Sequence, residues 1–480
     1  MVTQPRRTEK KELKWTSVNL QEIIDLNCRL EGSLHSNDGR QAMKDLIKNC
    51  KWSIGYLCGE NGLATAYHRP RFKRIYVDKS TFPIYQPAQI DELYPKPSAY
   101  ISRLTQTDID ALKVKKGQVL LTCSGTIGNC TYIRDTLNGL IFSHDLIRIE
   151  PKEYSGFIYA FLKSKTGFSI MNANNYGAVV EHIEPENLNH IPIPNPSPVL
   201  KQKIHNLIEE SFKLRDESNE SLDTAQFMLK EALQLPDIDI LKEQAEKYDK
   251  AMEVLNFTVP SSELLDRFDG SYYVPVVDVI EQRIAKTAKE IVKVVNNQVS
   301  ESVTLPGRFK RVYVEEGNGI VFFSGKNVLE LDPSDKKYLS FSQHADKINN
   351  ELVIREGMIL ITSSGTLANT VLVPKHWDGW AMTHDIIRLV PAGNEISGYL
   401  YAWLSSEYGR ELIHRFAYGA VVKHLEKEHI SQVSVPLLSD KNAQREINDT
   451  VLEANRKRTE AYNLEQEALR VLDEKVIYAR

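Results

Sequence analysis

Four small groups of side chains in this 480-residue sequence have types and spacings that chemistry could use, and each occurs twice. The first is Ser143-His144-Asp145 with Thr383-His384-Asp385. Hydroxyl, imidazole and carboxylate are the ingredients of a proton relay or a metal pair. Read as part of a strand, neighbouring residues point to opposite faces, so adjacent His and Asp should not converge. A hydrogen-bonded structural histidine is the competing reading. The second is Tyr67-His68-Arg69-Pro70-Arg71-Phe72-Lys73-Arg74-Ile75-Tyr76, echoed by Arg308-Phe309-Lys310-Arg311-Val312-Tyr313. Arg69, Arg71, Lys73 and Arg74, and Arg308, Lys310 and Arg311 in the echo, can neutralise phosphates, and arginine can grip guanine bidentately. The plainer alternative is a solvated strand, since Phe72, Arg74 and Tyr76 alternate with the rest. The third is Ser124-Gly125-Thr126 with Ser364-Gly365-Thr366, each directly after an apolar run. Small residues let backbone N–H groups approach a phosphate, with Ser124, Thr126, Ser364 and Thr366 as hydroxyl donors. The GxxxxGK[ST] spacing of a nucleotide loop is missing, and a tight capped turn explains the residues equally well. The fourth, Tyr176-Gly177-Ala178-Val179-Val180 with Tyr418-Gly419-Ala420-Val421-Val422, is a glycine turn whose tyrosines either touch a ligand or pack.

Catalytic signatures are missing by contrast. No glycine-rich S-adenosylmethionine loop follows a first strand, and Asn195-Pro196-Ser197-Pro198 lacks the aromatic residue of a DNA methyltransferase motif, as does Pro436-Leu437-Leu438-Ser439. Neither a helicase loop nor a nuclease-like acidic cluster with a following lysine is present. The five cysteines form no CxxC pair and read as structural free thiols. Net charge is −4, from 60 basic and 64 acidic side chains, so any polyanion must be met by a local basic face. A 42% apolar fraction fills real cores. No window reaches the roughly 18 unbroken apolar residues of a membrane span, and the polar start Met1 to Lys14 is no signal peptide, which predicts a cytoplasmic protein.

The elements that must position these groups are written twice. KGQVLLTCSGTIGNCTYI from Lys116 returns as EGMILITSSGTLANTVLV from Glu356. SHDLIRIEP from Ser143 returns as THDIIRLVP from Thr383, and YGAVVEHI from Tyr176 as YGAVVKHL from Tyr418. Arg29 to Ser33 (RLEGS) matches Arg267 to Ser271 (RFDGS). So long a period means a duplicated domain, not a solenoid. Within each copy, short β-branched runs such as Gln118 to Thr122 and Leu146 to Ile149 predict strands. A helix over Phe157 to Met171 and a Pro-rich exit at Ile191 to Pro198 follow. Then comes a segment without Gly or Pro, Val199 to Leu233, whose seam of Ile204, Leu207, Leu214, Leu222, Ala225, Leu229 and Ala232 has coiled-coil spacing. Its counterpart, Ala443 to Lys475, carries Ile447, Val451, Ala454, Ala461, Leu464, Ala468 and Val471. Each helix would reach ~50 Å at 1.5 Å per residue. Ser211, Ser218 and Arg458 interrupt the seam and predict imperfect pairing. Pro236 to Pro260 leads into the second copy, partly helical over Ile240 to Leu255. The expected class is α+β, with two homologous mixed domains and two long helices. Such an object is a ruler, and duplex DNA repeats every ~34 to 36 Å.

The doubled series of strand, SGT turn, S/T-H-D strand, Gly-aromatic-aliphatic-Tyr-Ala helix, YGAVV loop, Pro-rich exit and long helix resembles the specificity subunits of type I restriction-modification systems, over residues 22 to 475. The resemblance implies an N-terminal extension (1–21), target recognition domain 1 (22–198), a spacer helix and linker (199–259), target recognition domain 2 (260–440) and spacer helix 2 (441–480), the two spacers antiparallel. It implies that each domain reads half of a split site on double-stranded DNA, with recognition loops near Arg69 to Arg74, Ser124 to Thr126 and Tyr176, and near Arg308 to Arg311, Ser364 to Thr366 and Tyr418. Two methyltransferase subunits carrying S-adenosylmethionine and ATP- and Mg-dependent restriction subunits would be the partners. This chain itself would hold no cofactor or metal, perform no catalysis and bind DNA weakly alone. Both copies depart from the family in having Ala-Val-Val where a polar Gln or Thr is common after the loop glycine. Two rivals stay open: a scaffold, favoured if mutating Arg71, Arg74, Arg308 and Arg311 leaves DNA binding untouched, and a self-contained DNA-modifying enzyme, favoured if the pure chain acts on DNA.

Overall fold

The computed structural model describes residues 17–25, 28, 38–69, 71–124, 127–173, 182–245, 248–249, 254–255, 257–264, 267–334 and 336–479. The chain divides into two compact units, one of Met1–Ile90, Pro95–Glu210 and Leu464–Arg480, the other of Asp91–Tyr94 and Ser211–Asn463.

The first unit is built on β1 (Ser53–Tyr56), β2 (Ala64–Tyr67), β3 (Tyr76–Val77), β4 (Pro83–Tyr85), β5 (Ala99–Ile101), β6 (Val119–Thr122), β7 (Cys130–Tyr132), β8 (Ile141–Phe142), β9 (Leu146–Pro151) and β10 (Pro192–Asn195). They form a sheet of order β2-β9-β6-β7, a second of order β3-β5-β4-β8, and the pair β1-β10. All pairings are antiparallel except β4 with β8. The run Val119–Thr122 is buried along its whole length, which is why it reads as a continuous apolar segment rather than an alternating one. Four connections cross from one sheet to the other, among them residues 68–75 between β2 and β3, and Ser143-His144-Asp145 between β8 and β9.

After the antiparallel pair of β11 (Tyr248–Asp249) and β12 (Val254–Leu255), the second unit repeats the plan. Its strands are β13 (Glu290–Lys293), β14 (Ser300–Thr304), β15 (Tyr313–Val314), β16 (Gly319–Phe323), β17 (Lys337–Ser340), β18 (Ile359–Thr362), β19 (Thr370–Leu372), β20 (Ala381–Met382), β21 (Ile386–Pro391) and β22 (Ser434–Leu437). The orders β14-β21-β18-β19, β15-β17-β16-β20 and β13-β22 are those of the first unit strand for strand, down to the one parallel pair, β16 with β20. The repeat read in the sequence is therefore a repeat of topology, and the fold is α+β.

The long helices run Pro198–Ala232 and Lys441–Leu472. Within the second unit they are antiparallel: the Ser211 hydroxyl donates to the Ala461 carbonyl at 2.7 Å and Arg458 Nε to the Ser218 hydroxyl at 3.0 Å, while Leu222, Ala225 and Leu229 share a core with Ile447, Val451 and Ala454. The seam residues expected to spoil the pairing are thus buried and bonded to it. The seam also differs in detail. Leu207, Leu464 and Ala232 are only half-buried, whereas Ile208 and Glu465 lie inside it. Glu465 is tolerated there because it accepts the hydroxyl proton of Tyr159.

Each domain is seated on a long helix through one glycine. Gly156 donates its N–H to His205 Nδ1 at 3.0 Å, and Gly398, at the matching place in the second copy, donates to Asn448 Oδ1 at 2.9 Å. Two expectations change. The helix over Phe157 to Met171 is two helices, Ser155–Lys163 and Lys165–Asn172, broken at Ser164, whose hydroxyl caps the second by accepting from Gly167 N at 3.0 Å. After Pro236 a helix covers Ile238–Ala245, whereas Tyr248–Asp249 and Val254–Leu255 pair as antiparallel strands. All five cysteines are free thiols. Among the described residues no helix is long and apolar enough to cross a membrane and no side-chain cluster could hold a metal ion.

Candidate nucleic-acid interface

The basic segments are extended chain that runs into the short strands β3 and β15, and their side chains divide by side. Arg71 and Lys73 face solvent in one copy, Arg308 and Lys310 in the other. Phe72 packs against the cluster of Ile84, Ile101, Leu112 and Ile141, and Phe309 against that of Phe322, Leu339, Ile348 and Leu352. With the aromatic ring anchored, the residues beside it are turned outward and the one two places on, Arg74 or Arg311, is turned inward. Arg69 is half-buried, its guanidinium 5.1 Å from the centre of the Tyr67 ring.

The inward arginines meet the Ser/Thr-His-Asp corner. Arg74 Nη2 donates to the Ser143 hydroxyl at 3.2 Å and to His144 Nδ1 at 2.7 Å, and lies 3.5 Å from Asp145 Oδ2. Arg311 Nη2 donates to the Thr383 hydroxyl at 3.0 Å and to His384 Nδ1 at 3.1 Å. Because a guanidinium can only donate, Nδ1 accepts in both copies and the ring proton sits on Nε2. From there it faces the adjacent carboxylate, 3.1 Å from Asp145 Oδ1 and 3.2 Å from Asp385 Oδ1. The expectation that neighbouring His and Asp would diverge fails here. These residues form a bend between two strands, not a strand, so the alternation of faces does not apply to them. Burial holds both imidazoles below the ordinary histidine range, opposed by the adjacent aspartate and reinforced by the arginine.

Beneath the corner sits an element that composition and spacing did not single out. Arg148 in β9 and Arg388 in β21 are buried and donate to main-chain carbonyls, Arg148 to Ala111 at 3.0 Å and Lys113 at 3.2 Å, Arg388 to Met382 at 2.9 Å and Thr383 at 3.3 Å. Burial lowers both guanidiniums to about 10, still charged at neutral pH. The available signal was a lone arginine inside an otherwise apolar run, LIRIEP and IIRLVP.

The SGT turn and the loop after it close the same end of the domain. Ser364 pairs with His424, the Leu425 N–H donates to the Ser363 carbonyl at 2.8 Å, and the Ser363 N–H donates to the Asp385 carbonyl at 3.2 Å. In the first copy Ser124 pairs with His182 and the Ile183 N–H donates to the Cys123 carbonyl at 3.0 Å. Gly365 has φ of +74°, a conformation that glycine takes without strain, and Thr366 is exposed, its carbonyl accepting the Thr362 hydroxyl. Tyr418 and His424 exchange backbone hydrogen bonds at 3.1 and 2.8 Å, which fixes a short loop whose Val421 is 97% exposed. The Tyr418 hydroxyl donates to Glu426, which raises its pKa. Thr126 and Tyr176 lie outside the described residues, as does the RLEGS segment. The second copy thus brings the basic segment, the corner, the SGT turn and the YGAVV loop together through a continuous chain of hydrogen bonds.

Residues 66–223 match the model of the type I restriction modification DNA specificity domain. This segment is similar to the DNA specificity domains of type I restriction-modification systems. The matched residues include the whole basic segment, the corner and the SGT turn of the first copy, and the second copy repeats the specificity domain's strand order. Among solved structures the chain is similar to the S subunit of a type I restriction-modification system from M. genitalium, with 13% identity over 88% of this chain and 96% of that one and a TM-score of 0.32. It is also similar to the HsdS subunit from Thermoanaerobacter tengcongensis, with 14% identity over 89% and 97% of the two chains and a TM-score of 0.26. No curated protein sequence matches it.

Proposed function

We propose that this DNA specificity chain reads a split duplex site, one half with each copy of the domain, and carries out no chemistry itself. The observation that carries the reading is the exposed basic segment at the same sheet crossover in both copies, in a chain whose first copy matches a DNA specificity domain. Arg71, Lys73, Arg308 and Lys310 supply phosphate contacts, which fix position, while the exposed Thr366 and the Tyr418 loop, with their first-copy counterparts Ser124, Thr126 and Tyr176, supply contacts nearer the bases. Two methyltransferase subunits dock on the chain with S-adenosylmethionine, and restriction subunits bring ATP and Mg. The net charge of −4 fits an assembly in which partners share the phosphate clamp.

The test is a pull-down of the tagged full-length chain from its native cell, followed by assays of the pure chain on duplex DNA with S-adenosylmethionine, ATP and Mg. Recovery of a methyltransferase, with methylation only when it is added back, is the expected result. Methylation or cleavage by the pure chain would replace this reading with that of a self-contained enzyme.

A further inference from the structure

We infer that Arg74 and Arg311 are positioning residues, each tying two of the sheet-to-sheet crossovers of its domain together so that the outward cations of the basic segment are held in one register. The inference rests on the DNA-reading proposal above. Residues 68–75 leave β2 in one sheet for β3 in the other, and Ser143-His144-Asp145 returns from β8 to β9. In the second copy the matching crossovers are residues 305–312 and Thr383-His384-Asp385. At the end of the first crossover the Ser102 N–H donates to the Ile75 carbonyl at 2.8 Å, and side chains add further ties. Arg74 supplies them from one guanidinium: Nη2 reaches Ser143 and His144, and Nη1 reaches the Tyr76 hydroxyl at 3.2 Å. Arg311 repeats the pattern on Thr383 and His384.

The corner is itself pre-set to receive an arginine. The Ser143 hydroxyl donates to Asp145 Oδ2 at 3.0 Å, leaving its lone pairs for Arg74, and the Thr383 hydroxyl lies 3.5 Å from Asp385 Oδ2 in the same sense. The imidazole passes the contact on, accepting from arginine at Nδ1 and facing aspartate at Nε2. Lysine does not reproduce this arrangement, because its side chain is one bond shorter and lacks the planar group that sets Nη2 between its two acceptors. A phosphate would have to compete with these acceptors for the same Nη2, whereas Arg71, Lys73, Arg308 and Lys310 are exposed.

The latch also has a proton dependence that a passive packing contact would lack. His144 faces Asp145, Arg74, Arg71 and His68, and His384 faces Asp385, Arg311, Arg308 and Lys347. A second ring proton would sit on Nδ1 and point at the guanidinium, ending the hydrogen bond. The latch is therefore closed at neutral pH and opens below the ordinary histidine range.

The experiment uses the full-length chain with the subunits that co-purify with it, a randomised duplex pool to measure how strongly a motif is enriched, and the salt dependence of binding to that pool. Arg71→Gln with Arg308→Gln should lower the salt slope by roughly 2, about 0.9 for each phosphate left without its cation, with the enriched motif intact. Arg74→Gln with Arg311→Gln should leave the slope unchanged and cut motif enrichment at least tenfold, and the two Lys variants should behave like the Gln pair. His144→Asn with His384→Asn keeps an acceptor near the Nδ1 position and should preserve enrichment and remove its decline on acidification, whereas the His→Leu pair should lose enrichment at every pH. These histidine variants leave both arginines in place and decide the matter even if the arginine variants fail to fold. The inference is overturned if the Arg74 and Arg311 variants lower the salt slope with the motif intact, or if the Leu pair enriches as wild type does. A wild-type assembly that enriches no motif and binds without salt dependence would instead overturn the DNA-reading proposal beneath it.

Discussion

The glycine that seats each domain on its long helix gives the sharpest structural prediction. A methyl group at Gly398 would lie 2.3 Å from the Asn448 carbonyl oxygen and 3.0 Å from its carbon, both backbone atoms of the 32-residue helix. To reach ordinary separation the helices must part by about an ångström, an overpacking that costs about 1–3 kcal/mol. Parting them also strains the hydrogen bonds from the Gly398 and Tyr399 N–H groups to Asn448 Oδ1, 2.9 and 3.2 Å long, and a buried donor left without its acceptor costs about 1–3 kcal/mol. The better helix propensity of alanine returns about 1 kcal/mol. Gly398→Ala should therefore destabilise by about 3 kcal/mol. At about 2–4 °C per kcal/mol for a unit of this size, the melting temperature should fall by about 6–12 °C. Gly156→Ala meets the His205 carbonyl at 2.8 Å and strains one N–H rather than two, so its effect should be smaller, about 1–2 kcal/mol. Calorimetry or a chemical denaturation midpoint on each full-length variant reads both values. A Gly398→Ala chain as stable as wild type, or the reverse ranking of the two, would refute the claim that close helix approach seats the domains.

Two further predictions concern the second unit. Burial lowers His376 to about 4, with its Nε2 2.9 Å from the Leu331 carbonyl and its ring stacked 4.3 Å from that of Tyr462 on the long helix. The unfolded chain takes up this proton near pH 6.5 and the folded one only near 4, so stability is full above pH 6.5 and falls by about 3 kcal/mol as pH drops through that window. His376→Gln should remove that part of the acid sensitivity in parallel denaturation curves at pH 7 and 4.5. Ala368 holds φ of +62° where the first copy has Gly128 at +94°. Relief of strain in Ala368→Gly is offset by removal of a buried methyl and by the added chain entropy, so stability should change by less than about 1 kcal/mol. Gly128→Ala adds that strain and brings a methyl within 3.0 Å of the Phe168 ring, so it should cost about 1–3 kcal/mol in the same measurement.

The duplication was legible because it is written in residue identities: the repeated runs around Gln118 and Met358 became β6 and β18, and the repeated order of strands followed. Which strands pair was not legible. The β4-β8 and β16-β20 ladders involve two residues per strand and join segments far apart in sequence. The basic segments stood out by composition, yet nothing in RFKR announces that its last arginine turns inward, because that is decided by the corner it meets about seventy residues later. The helix seam was readable at most of its apolar positions, with Ile208 taking the place read for Leu207, while Glu465 was not, since its partner Tyr159 comes from another element. Ser164 breaks a helix by capping the next one, a role that its neighbours Lys163 and Lys165 do not signal.

The central claim, that two copies of one domain each read half of a split site, is tested most directly by sequencing modified bases in the native host with and without this gene. The account predicts a methylated motif in two parts separated by a constant gap, absent from the deletion strain and restored by the intact gene. Restoration with the Thr126→Ala, Tyr176→Ala chain should weaken dependence on one half of the motif, and with the Thr366→Ala, Tyr418→Ala chain on the other. A methylation pattern that is the same with and without the gene, or one uninterrupted motif that both pairs of substitutions weaken alike, would contradict it.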